Sequence, residues 1–215
     1  MRGSNRYLGT TSEERPMPKP REGYVRPILR PYEERIAGVF LHAWDQWFRS
    51  PGRKTFTYRR VRACCVHELI VKEARKEFGR DRDVRIIEGQ ETIYLMFKNA
   101  VVLRLKKGDS RGLGHNNETQ TSLAFISADA DIHVLPLGLP DVERVEITYQ
   151  LNVLEMKIEE VLVIGRDGAV RLWSYGIYPR AAAPVTVLPV KRTTVARPDD
   201  VLKIPSRRDD KKDAS

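Results

Sequence analysis

The feature that most constrains the fold of this 215-residue chain is a change of hydrophobic period at Gly79. Before it, Ile36, Val39, Phe40, Ala43, Trp44 and Trp47 recur at helical spacing, and Val61, Cys65, Leu69 and Ile70 form a second helical pattern. The first helix starts after Pro31 and stops at Pro51-Gly52; the second runs from near Thr57 to Phe78, with Gly79 past its C-terminal end. After it, Val84 and Ile86, then Ile93, Leu95 and Phe97, alternate as strand residues do, and Ala100 to Leu105 is an apolar-rich run behind the tight link Lys98-Asn99. Strands are expected again over Val145 to Leu151, Ile158 to Ile164 and Ala169 to Tyr175, the last two joined at Gly165-Arg166-Asp167-Gly168. The predicted fold is α+β: an antiparallel sheet of five or six strands, two N-terminal helices and one inserted helix.

That domain is expected over residues 31–179, a length that supports one core. Pro16, Pro18, Pro20 and Pro27 lie among arginine, glycine and serine, so residues 1–30 read as a disordered basic arm, and residues 180–215 read as a disordered basic tail. The net charge of +9 sits at these ends: residues 1–30 carry seven Lys/Arg against three Glu, and residues 180–215 nine against five Asp. A near-neutral core with basic tails suits work beside DNA or another acidic partner, with weak electrostatic contact only; solubilisation alone is the other reading.

One internal stretch concentrates cations. Residues 49–62 hold Arg49, Arg53, Lys54, Arg59, Arg60 and Arg62 and no acid. Arg53, Lys54, Arg59, Arg60 and Arg62 are candidate phosphate contacts, with a solvated helix face as the alternative. On their helical stripe, Trp44 and Trp47 belong to the core rather than to a base-stacking platform.

Other chemistry is thin. His42, His67, His115 and His133 stand in no metal-ligand spacing, so neither metal nor cofactor is expected. Adjacent Cys64 and Cys65 fit neither a disulfide framework nor a zinc set; both should be reduced and at least one buried. No G-x-S-x-G elbow occurs, and Glu159-Glu160 reads as exposed strand. The loop KKGDSRGLGHNN carries Gly108, Gly112 and Gly114 without a Walker lysine, and a nuclease pair of Asp109 and His115 is its sharpest catalytic idea. No apolar run reaches the ~20 residues of a membrane span and no secretory h-region opens the chain, so a cytoplasmic, non-enzymatic protein is expected.

The most specific signal is the hexapeptide Gln120-Thr121-Ser122-Leu123-Ala124-Phe125. Its Q-x-x-L-x-F spacing is similar to that of peptides that dock on the bacterial sliding clamp, where glutamine hydrogen-bonds the lip of a groove and the two apolar residues anchor in it. Asn117 can cap a helix there, with Gln120 in capping-box position, running to about Ala128. On such a helix Leu123 and Phe125 diverge by about 200 degrees, so docking requires an extended or unwound segment.

The blocks LRLKKGDSRGLGHNNETQTSLAF, LGLPDVERVEITYQL and VLVIGRDGAVRLWSY, spanning Leu103 to Tyr175, resemble the SocB group of bacterial toxins. The resemblance implies a toxin that halts replication by occupying the sliding clamp (the polymerase beta subunit). It also implies an antitoxin that acts as proteolytic adaptor to the ClpXP protease, and clamp contacts at Gln120, Leu123 and Phe125.

Overall fold

In the computed structural model, residues 19–89, 92–114, 120–127 and 142–179 are described, side chains of 120 and 121 excepted. Helices α1 (Glu22–Leu29), α2 (Glu33–Arg49) and α3 (Arg59–Phe78) precede strands β1 (Val84–Gly89), β2 (Thr92–Phe97) and β3 (Val101–Lys107). Helix α4 (Gln120–Ile126) follows, and then β4 (Glu143–Leu151), β5 (Ile158–Asp167) and β6 (Val170–Tyr178). The strands form one six-stranded sheet in sequence order, so the fold is α+β as the change of period indicates.

Every strand pair is antiparallel except β3 with β4, which run parallel with Arg104 opposite Glu146. An all-antiparallel sheet was the expectation; the long connection after β3, which contains α4, is what lets the chain return and start β4 in the same direction. Lys98 and Asn99 both take φ near +50°, the left-handed pair that a tight hairpin twist requires. The β5–β6 turn lies slightly later than Gly165-Arg166-Asp167-Gly168 suggests, with Asp167 paired to Val170 and Gly168 at φ +56°.

The period-2 alternation sorts the side chains onto two faces. The inner face presents Leu95, Phe97, Leu103, Val145 and Ile147 to Ile36 and Phe40 of α2 and Ile70, Ala74 and Phe78 of α3. Phe97 meets Tyr32 and Phe78 edge-on, at 4.9 and 5.5 Å between ring centroids. Arg35 ties α2 to the end of α3 and to the turn before β1, donating to Glu77 and Asp81 at 2.6 Å each. The pair holds the Arg35 guanidinium more firmly charged and keeps the Asp81 carboxyl below its ordinary range.

Two expectations are corrected. The arm assigned to residues 1–30 is structured from residue 19 onward, because α1 buries Val25 and Leu29 completely despite Pro27 within it. Pro27 lacks only one helical N–H, and long-range bonds compensate: Arg21 gives both its backbone N–H and its Nε to Glu143 at 2.9 Å, and Trp173 Nε1 donates to the Pro20 carbonyl at 2.6 Å. Neither cysteine is fully buried: Cys65 is half-buried against the core and Cys64 is exposed. The rest of the arm, the tail 180–215 and Asn117 lie outside the described residues.

Candidate functional site

The hexapeptide lies on α4. Seven residues are too few for a helix to hold itself in water, so α4 depends on the surface beneath it. That surface is the outer sheet face, where Tyr94, Met96 and Val102 join Ala124, Phe125, Ile126 and Val142 in a cluster separate from the main core. The Phe125 ring stacks on Tyr94 at 5.4 Å and is 2% exposed, whereas Leu123 is 48% exposed. The C-terminal end of α4 is tied down by Arg144, which donates to the carbonyls of Ala124 and, at 3.0 Å, of Ser127; the N–H of Gly168 reaches the Ile126 carbonyl at 2.7 Å. Gln120 opens the helix, and its side chain lies outside the described residues. The structure therefore separates the two apolar members of the motif, one to solvent and one to the sheet.

Beside α4 the outer face turns polar. Arg104, Arg144, Glu146 and Thr148 are all buried. Glu146 accepts from Arg166 Nη1 at 3.0 Å and from the Gly114 N–H at 3.2 Å; a Cβ at Gly114 would lie 2.7 Å from that carboxylate, so glycine is required for the approach. Arg104 lies with its guanidinium 5.7 Å from the Phe125 ring centroid, and its Nε and Nη1 are buried without a hydrogen-bond partner among the described residues. Burial, with the Arg104 charge adding to it, pulls the neighbouring Lys106 down to about 8. The sequence shows basic residues in β3 but not that the sheet would bury Arg104 among them.

The second candidate is the elbow between α2 and α3. Ser50 caps the short turn Pro51–Lys54, its Oγ accepting from the Gly52 N–H at 3.2 Å, and Tyr58 precedes α3 without a side-chain cap. Phe56 and Tyr58, 39% and 76% exposed, alternate with cations in the run Arg53-Lys54-Thr55-Phe56-Thr57-Tyr58-Arg59-Arg60. Phe56 stacks on Trp47 with 6.4 Å between centroids, and the Arg53 guanidinium lies 3.9 Å from the Phe48 ring centroid. Behind this surface is a cavity of about 100 Å³. Arg53, Arg59 and Arg62 line it and Lys107 of β3 joins them; Lys54 and Arg60 do not. Trp44, Trp47 and Tyr149 close its apolar side. The sequence reading gathered the arginines but missed Lys107, whose arrival depends on the sheet, and passed over Phe56 and Tyr58.

The catalytic pair suggested for the glycine loop is not assembled by what is described. Asp109 caps its own loop, its Oδ1 accepting from the N–H groups of Arg111 at 2.8 Å and Leu113 at 2.9 Å, and His115 lies outside the described residues. Among the described residues no group of three or more metal-ligating side chains occurs, and no helix is long and apolar enough to cross a membrane. No family model, curated protein or solved structure matches the chain.

Proposed function

We propose that the chain is a non-enzymatic inhibitor of bacterial DNA replication that occupies the sliding clamp through Gln120, Leu123 and Phe125, in competition with other clamp clients. The observation that carries this reading is the coincidence of the Q-x-x-L-x-F hexapeptide with α4, a helix of seven residues on a small cluster of its own. Such a segment can leave without opening the main core, and its departure brings Leu123 and Phe125 to one side of an extended strand. Exposed Leu123 offers the first contact. On this reading an antitoxin acts as adaptor to ClpXP, and occupancy rather than chemistry stops synthesis.

Leu123→Ala tests the docking. Being exposed, Leu123 can be truncated without loss of stability, while a groove anchor is worth about 2 kcal/mol in hot-spot scans. Clamp affinity should fall in a pull-down or anisotropy assay while the melting temperature holds, and Gln120→Ala should behave alike. Undiminished binding by both variants would retire the reading.

A second reading is favoured by the elbow. Exposed Phe56 and Tyr58 between Arg53, Lys54, Arg59 and Arg60 have the composition of a single-strand nucleic-acid surface, where rings stack on bases and cations follow the backbone. It is compatible with clamp docking, because α4 lies on the outer sheet face and the elbow is built from the helices that cover the inner one.

A further inference from the structure

We propose that the elbow cavity binds a terminal phosphate, the phosphate monoester at the end of a nucleic-acid strand or on a free nucleotide. The inference rests on the nucleic-acid reading of the elbow and names the group that anchors there.

Charge is the first argument. Arg53, Arg59, Arg62 and Lys107 line a cavity whose one acidic wall residue, among those described, is Glu155. A solvated helix face explains arginines that are neighbours in sequence, but not Lys107, which arrives from β3. Nor does it explain Arg62, whose Nε is buried without a hydrogen-bond partner among the described residues.

The cavity also takes in the start of α3. A helix N-terminus carries unsatisfied N–H groups and partial positive charge, so carboxylates there stabilise and cations do not. In α3 the first turn holds no acid and begins Arg59-Arg60. The cavity lies along the Arg59, Arg62, Ala63 and Val66 side of that helix, so an anion bound there relieves the repulsion between the first-turn cations and the helix dipole.

Glu155 marks where that anion sits. It holds a left-handed backbone at φ 49°, and its two oxygens face two cations, Arg62 Nη1 at 3.7 Å and Lys107 Nζ at 3.8 Å. Both distances exceed a hydrogen bond, so one carboxylate spans the gap without filling it. A phosphate monoester carries about −1.5 to −2 charges and three acceptor oxygens, and so matches the pair better. Glu155 belongs to the turn 152–157, where Asn152 Oδ1 accepts from Met156 and Lys157 at 2.8 and 3.2 Å and where Val153 and Leu154 are exposed. The Met156 carbonyl of the same turn accepts from Trp44 Nε1 at 3.2 Å, so the backbone is held and an entering phosphate displaces the Glu155 carboxylate by side-chain rotation alone.

Shape selects an end rather than an internal linkage. Trp47, Val66, Tyr149 and Leu151 back the cavity with core. The attached sugar and base stay outside, beside Phe56 and Tyr58.

Fluorescence anisotropy with one oligodeoxynucleotide in three forms, 5′-phosphorylated, 3′-phosphorylated and unphosphorylated, tests the proposal. At least one phosphorylated form should bind about tenfold more tightly than the unphosphorylated strand, the scale of a charge-assisted hydrogen bond. Arg62→Met should erase the difference, and Glu155→Gln, which removes the competing anion, should widen it. A nucleoside monophosphate that competes as well as the phosphorylated strand identifies a free nucleotide as the ligand; weak competition identifies the strand end. Equal affinity for all three strands overturns the terminal-phosphate inference and leaves the elbow reading standing. Absence of binding to any strand and to the nucleoside monophosphate at low salt overturns both.

Discussion

The elbow and α4 present similar chemistry in opposite states. At the elbow, rings and guanidinium groups are already exposed around an open cavity. At α4, the aromatic anchor is sealed against Tyr94 and only Leu123 faces out. A partner of the elbow meets a preformed surface, whereas a partner of the hexapeptide must first draw a helix off a sheet. Preformed sites bind at the full strength of their interactions; sealed ones lose whatever opening costs.

The largest expected effect tests the sealed side. Phe125→Ala leaves a hole against Tyr94 and should destabilise the protein by about 3 to 5 kcal/mol in urea unfolding. A cost below about 1 kcal/mol would mean that α4 is already loose in solution, and the contrast with the elbow would dissolve. Next comes Leu123→Ala, with a drop of about 2 kcal/mol in clamp affinity at unchanged stability. Tyr58→Ala should cost about 1 kcal/mol in single-strand binding, the low end for a stacked base, again without a change in melting temperature. If it leaves binding untouched, the ring is mere surface.

A smaller effect distinguishes the polar part of the outer face. Burial holds the Lys106 ammonium at about 8 against its ordinary 10.5, so between those values the unfolded chain binds the extra proton and stability rises with pH. Below about 8 both states are protonated and the full cost of the buried charge is felt. Urea midpoints measured from pH 8 to 10 should climb in the wild type relative to Lys106→Met. Parallel curves would place Lys106 in water.

Local rules made the fold legible where they act alone. The stripe from Ile36 to Trp47 and the alternation around Leu95 and Leu103 follow from periods of 3.6 and 2, which need no knowledge of the partner surface. Helix α1 was hidden because prolines argue for an extended arm, and what overrides them, Arg21 on Glu143 and Trp173 on Pro20, joins chain segments far apart. The parallel β3–β4 pair was hidden for the same reason, since a period-2 pattern carries no direction. The incompatibility of a helix with joint docking of Leu123 and Phe125 was readable from spacing; which of the two would be sealed depended on the outer face, and no pattern reports that. At the elbow the charges were legible as a run, but the cavity required Lys107 from the sheet.

Arg104 carries a consequence for the ease with which α4 opens. Its idle donors beneath Phe125 are a source of local frustration: the closed state keeps a cation away from water and leaves two of its nitrogens without a hydrogen-bond partner among the described residues. Rehydrating that guanidinium offsets part of the apolar burial given up when the helix lifts, so opening should be cheaper than the buried area of Phe125 and Ala124 implies. Replacing the charge by a flexible apolar side chain should reverse the bias. In Arg104→Met, amide hydrogen exchange across residues 122–127 should slow relative to wild type; faster exchange would show instead that the guanidinium clamps the helix down.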